Sequence, residues 1–165
     1  MNNLFDKLVS SLEEEISLAN KERENDGLPP LDRLHLQILG QSALLFNSDI
    51  SGLMTLVHTR DLDALIQGDW SLRTILKRAI KRIGLEYDDL SREVWVPPGS
   101  SFILLYENVV MKIEALEPFF VFLSKAVKAP EKNRQLVLQG IDFYGKKLVD
   151  EINRHGGDSG FFIDG

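Results

Sequence analysis

The sequence contains no cysteine, so no disulfide framework can staple it and no thiolate can hold a metal. That composition suits a reducing compartment, and the expected location is the cytoplasm. Long apolar runs are missing as well. The most continuous, Phe119-Phe120-Val121-Phe122-Leu123, falls far short of the roughly 20 residues that a membrane-spanning helix needs, so no membrane association is expected. The N-terminus does not show a basic region followed by an apolar stretch. It carries Asp6 and glutamates at positions 13, 14 and 15 instead, which is not the order of a secretory signal. Positive charge is in deficit: 19 Lys and Arg against 25 Asp and Glu give a formal net charge of −6. Broad electrostatic binding of nucleic acid is therefore not expected, although a local basic patch can exist within such a chain. No Walker A sequence, Gly-x-Ser-x-Gly elbow, EF-hand loop or dinucleotide fingerprint occurs. The histidines, His35, His58 and His155, are scattered, whereas zinc needs convergent ligands.

What is present is the composition of one folded domain. The chain has 165 residues, 44% of them apolar and 27% charged, enough to bury a core without covalent help. A single domain over residues 1–155 is expected, followed by a loose glycine-rich tail, 156–165, in which Phe161-Phe162-Ile163 is the segment able to dock. Leu4, Phe5, Leu8, Val9, Leu12, Ile16 and Ala19 recur at helical spacing. Gly27 and Pro29-Pro30 close that helix into a loop. Leu34, Leu36 and Ile38 alternate as on a strand. Gly40-Gln41-Ser42 turns the chain into a short helical stretch, Ala43 to Phe46. Met54 to Val57 and Leu62 to Ile66 read as extended. Ser71 is the expected cap of a second helix, with Leu72, Ile75, Leu76, Ala79, Ile80 and Ile83 as its buried stripe and Gly84 as its stop. Phe102 to Tyr106 and Val109 to Glu114 read as a hairpin turning at Glu107-Asn108. Pro118 and Pro130 each open a helix, and Gly140 and Gly145 interrupt the second of these. The expected fold class is α/β (α+β), a small mixed sheet with helices packed on it.

The tripeptide Asp61-Leu62-Asp63 is the most informative. On a strand, alternate residues share a face, so both carboxylates project together, about 6 to 7 Å apart. Such a pair can hold Mg²⁺ through hard oxygen ligands, and the ion would bind phosphates during phosphoryl or nucleotidyl transfer. The plainer reading is a strand end carrying two solvated aspartates, since a lone D-x-D has little specificity.

The upstream residues add weight. Leu36 to Ala43, with the Gly40-Gln41-Ser42 turn, then Thr59-Arg60-Asp61-Leu62-Asp63-Ala64-Leu65-Ile66, resembles the opening signature of the nucleotidyltransferase superfamily. Trp95-Val96-Pro97-Pro98-Gly99 and the segment Ala115 to Lys125 extend the similarity to uncharacterised bacterial nucleotidyltransferase-like proteins, which include relatives of toxins and antitoxins. The resemblance covers residues 34–140, and only its first part has motif quality. It implies a nucleotidyltransferase-like sheet and the transfer of a nucleotide from a nucleoside triphosphate to an acceptor hydroxyl. By it, Asp61 and Asp63 hold Mg²⁺, Gly40, Gln41 and Ser42 form the phosphate turn, and Lys125 neutralises nucleotide charge. Gln41 stands where a second glycine is common, and Asn133 and Gln135 where relatives carry an aspartate.

A third carboxylate usually completes the site. Glu114, late in the hairpin, is the candidate for that catalytic role, ahead of Glu107 and Asp69. The alternative is a catalytically degenerate relative that binds a nucleotide or a protein partner, as in a toxin–antitoxin-like pair. A purely structural interaction protein would make the aspartates incidental. The basic face Arg73, Lys77, Arg78, Lys81 and Arg82 is read as solvation before RNA contact, and Phe119, Phe120 and Phe122 cannot all face inward on one helix.

Overall fold

Leu34, Leu36 and Ile38 alternate apolar in a five-residue run, and all three are fully buried on strand β1 (Leu34–Ile38) of the computed structural model. The structure describes residues 3–52 and 60–164. The expected strand at Met54 to Val57, together with His58 and Thr59, lies outside them. β1 runs antiparallel to β3 (Ala64–Gln67) on one side and parallel to β6 (Met111–Leu116) on the other, and β5 (Phe102–Glu107) completes the order β3-β1-β6-β5.

One face of this mixed sheet is closed. Leu36, Ile38, Met111, Ile113 and Ala115 join a single core with Leu8, Leu12 and Ile16 of α1 (Asn3–Asn25) and Leu72, Leu76, Ala79 and Ile80 of α4 (Trp70–Arg82). The apolar stripes that predicted both helices are the surfaces that meet. The fold class is thus the expected one, a four-stranded mixed sheet with helices packed on it. On the opposite face stand the half-buried His35, Gln37, Lys112 and Glu114. Beyond the sheet, α5 (Pro118–Lys128) packs on α2 (Gly40–Leu45), α6 (Arg134–Tyr144) and α7 (Lys146–Arg154). No described helix is long and apolar enough to cross a membrane.

Several local expectations are corrected. α4 is capped by Asp69, whose carboxylate accepts from the Ser71 and Leu72 N–H groups, and not by Ser71. A carboxylate at a helix N-terminus also meets the positive end of the helix dipole. Leu62 to Ile66 is not one strand. It divides at Asp63 into β2 (Asp61–Leu62) and β3, because β2 pairs with an unexpected strand, β4 (Glu86–Tyr87), while β3 pairs with β1. The hairpin turns at Asn108, whose side chain accepts from Val110 and Met111 N–H, so β6 begins at Met111. Pro130 does not open a helix; α6 starts at Arg134.

Gly140 lies within α6, where an added Cβ would stand 2.6 Å from the Phe122 ring, so this glycine permits close packing of α5 and α6. Gly145, at φ 65°, does break the chain between α6 and α7. In the glycine-rich tail, α8 (Gly160–Ile163) docks: Phe162 is buried, and the Arg134 guanidinium donates to the Phe161 and Phe162 carbonyls. Of the aromatic cluster, Phe119 and Phe122 are buried, and the half-buried Phe120 packs edge-on against Phe119.

Candidate functional site

β1 ends where Gly40 takes φ 59° and starts α2. That conformation is in the left-handed region which glycine adopts without a Cβ clash. It serves a close approach here, since a Cβ on Gly40 would stand 2.7 Å from Asp63 Oδ2. The turn and the carboxylate are therefore packed against each other. The Leu39 N–H, donating to the Asp63 carbonyl at 2.7 Å, fixes the same junction from the backbone side.

Asp63 sits at the point where the chain changes sheets. Leu62 pairs with Tyr87 of β4, and the Asp88 N–H donates to the Leu62 carbonyl, so Asp88 is carried to the side of Asp63. A short network holds this turn in place. The Ser91 hydroxyl donates to the Asp88 carbonyl, the Ala64 N–H donates to Ser91 Oγ, and the Tyr87 hydroxyl donates to the Ala64 carbonyl. The Asp63 and Asp88 carboxyls hydrogen-bond each other, and Asp63 is pushed up to about 6 by burial first and then by Asp88. The Lys125 ammonium pulls in the other direction, and Asp61 adds to the rise. Asp63 Oδ1 is buried and has no hydrogen-bond partner among the described residues. Two adjacent carboxyls, one with an orphaned oxygen, form once ionised a donor set of the hard-oxygen type that Mg²⁺ accepts. As they stand, no three His, Cys, Asp or Glu side chains gather closely enough for a metal among the described residues.

Lys125 faces this pair from the third turn of α5. It is half-buried, donates to Asn133 Oδ1 at 3.4 Å, and is held below the usual lysine range by burial, with Asp63 opposing that shift. Gly40, Asp63, Trp95, Leu116, Lys125 and Asn133 line one cleft of about 190 Å³ whose mouth also carries Glu93, Lys128 and Lys132. A larger groove of about 550 Å³ along α1 contains none of the residues singled out in the sequence as site candidates.

Three of the expected site residues, Gly40, Asp63 and Lys125, thus meet in one cleft. Asp61 is exposed on β2 and acts on Asp63 through charge. Because the chain bends between β2 and β3, the shared-face geometry of one continuous strand does not apply to the aspartate pair. Gln41 is half-buried on α2. Ser42 is buried, and its hydroxyl donates to the Asp61 carbonyl at 3.1 Å, so it braces α2 against β2. Glu114 does not line the cleft; its carboxylate is hydrogen-bonded to His35 Nε2, and His35 Nδ1 lies 3.1 Å from Gln67 Oε1. The carboxylate beside Asp63 is Asp88, which no sequence motif singles out. Leu85-Glu86-Tyr87-Asp88 alternates apolar or aromatic and acidic residues directly after a helix, and that alternation is the available signal.

On the basic face of α4, Arg78 and Arg82 close on Glu15, Arg82 also reaches Glu14, and Lys77 pairs with Asp89. No model of a known protein family, no curated protein and no solved structure matches this chain.

Proposed function

We propose that the cleft binds a nucleoside triphosphate in the manner of nucleotidyltransferase-like proteins. The observation that carries this reading is the convergence of Gly40, Asp63 and Lys125, drawn from three separate segments, on one cleft, with the Asp88 carboxyl hydrogen-bonded to Asp63. Asp63 and Asp88, with the charge of Asp61 acting on Asp63, are the residues that would hold Mg²⁺. Bound there, the ion would hold the donor's phosphates and neutralise charge as it develops on them. Lys125 supplies the fixed positive charge opposite the carboxylates. In the transfer itself, an acceptor hydroxyl forms a bond to the α-phosphorus, the bond to pyrophosphate breaks, and a carboxylate of the cluster takes the hydroxyl proton. Asp88 replaces Glu114 as our candidate for the third acid. Such a reaction draws on the cytoplasmic nucleotide pool, the compartment that a cysteine-free chain also suits.

A second reading keeps the binding and drops the chemistry. It is favoured by Ser42, whose hydroxyl is buried and bonded to the Asp61 carbonyl, and by Gln41 in place of a glycine. A degenerate relative would then act through the bound nucleotide or through a protein partner.

The test is titration of ATP and GTP with Mg²⁺ into the wild type and an Asp61→Asn/Asp63→Asn variant by calorimetry. Metal-dependent binding that disappears in the variant supports the proposal; binding indifferent to both aspartates would sink it. Incorporation of labelled nucleotide into an acceptor separates the first reading from the second.

A further inference from the structure

The cleft has two walls of opposite sign. Across from Asp63 stand Lys125 and Lys128 of α5 and Lys132 of the loop between α5 and α6. None of the three lysines forms an ion pair within salt-bridge distance among the described residues. Lys128 and Lys132 are exposed at the cleft mouth, where Lys128 lies over the Trp95 ring and Glu93 is the carboxylate that also lines it. Three ammonium groups around one opening attract multivalent anions by simple Coulomb addition.

The same geometry does not enclose a whole nucleotide. The cleft's about 190 Å³ lies below the roughly 300 Å³ at which pockets begin to enclose a drug-sized ligand. Among the described residues its one large aromatic, Trp95, is already engaged. The Lys128 ammonium lies 5.3 Å from the ring centroid, and His155 packs edge-on with centroids 5.6 Å apart. A base stacking on Trp95 would have to displace that cation.

We infer that this site recognises its ligand by the polyphosphate chain and not by the base, with Lys128 and Lys132 reading the number of phosphates. The nucleotide part of this inference rests on the nucleoside triphosphate reading proposed above; the polyphosphate part stands without it.

The experiment monitors the fluorescence of Trp95 in a Trp70→Phe background, since Trp70 is 78% exposed and would add an uninformative signal. Inorganic triphosphate, pyrophosphate and orthophosphate are titrated in EDTA, then ATP, GTP, CTP and UTP with Mg²⁺; calorimetry provides a readout independent of the fluorophore. Inorganic triphosphate is expected to bind at least about tenfold more tightly than orthophosphate, and the four nucleotides to agree within about threefold. Lys128→Gln/Lys132→Gln, at two exposed positions, is expected to weaken triphosphate by about tenfold or more and the four nucleotides equally. A preference beyond about tenfold for one base, or triphosphate binding untouched by the double lysine variant, overturns the inference. So does absence of triphosphate binding in the wild type. Triphosphate binding without metal-dependent nucleotide binding would instead sink the nucleoside triphosphate reading and leave the lysine wall standing.

Discussion

Between α1 and α4, Glu15 is 6% exposed, and two arginines close on it from the neighbouring helix. At the cleft, Asp63 is set against another carboxyl and keeps a buried oxygen without a partner among the described residues. Both regions bring charge toward the interior of the protein, yet among the described residues only the first closes it in salt bridges. On the helix side, buried polar groups are answered one by one; even Ser11 donates its hydroxyl to the Ala79 carbonyl at 2.8 Å. Like charges brought together and left unsatisfied cost stability. Such groups gather where a ligand is to complete the arrangement. The contrast therefore points to the cleft, and not the helix pair, as the place where this molecule acts.

The comparison can be broken first where packing alone is at stake. Leu76→Ala empties a fully buried position in the core between α4 and the sheet and is expected to cost about 3 kcal/mol, read from the denaturant midpoint. Nucleotide binding measured well below that midpoint should not change. Next in size is Gly40→Ala, at about 2 kcal/mol, because the alanine meets both a positive φ and Asp63 Oδ2 at 2.7 Å. Unlike Leu76→Ala, it should abolish nucleotide binding, since relief of the contact requires Asp63 to move. Equal effects of the two substitutions on binding would erase the distinction between the regions.

Much of this division is legible in the sequence, and the reasons differ by element. The α1 and α4 stripes and the alternation of Leu34, Leu36 and Ile38 are readable because each is a local pattern imposed by burial on one side. Gly40 and Lys125 come from a resemblance, and they do line the cleft with Asp63. Asp88 does not emerge, because β4 is two residues long and owes its existence to pairing with β2, a contact that no local pattern declares. The division of Asp61 from Asp63 has the same origin, in which two sheets compete for one stretch of backbone and the chain bends between them. Gly140 looks like a helix breaker only while the Phe122 ring that packs against it is out of view.

A smaller effect sharpens the helix side. Glu15→Ala removes the carboxylate that Arg78 and Arg82 share, but both arginines remain substantially exposed. Water can replace much of what they lose, so the expected cost is about 1–2 kcal/mol and not the larger penalty of stranding a buried charge. High salt should reduce the difference between variant and wild type.

The smallest expected change carries the opposite sign. Asp63 has its pKa raised from 3.8 to about 6 in the folded protein, so the folded state holds that proton more tightly than the unfolded chain does. The stabilisation this gives is fully present below about pH 4 and is lost as pH rises through about 6. Above that, a charged Asp63 is a liability, and Asp63→Asn should remove it. Because the carboxyl is only partly buried, solvent screening reduces the gain to about 1 kcal/mol at pH 8. Thermal or urea unfolding of both proteins from pH 4 to pH 8 measures it, with the variant equal to the wild type at the acid end and more stable at the alkaline end. A constant difference across that range would mean that the substitution acts through packing and not through charge. A loss at pH 8 would mean that the Asp63 carboxylate is already compensated, and the contrast with Glu15 would then fail.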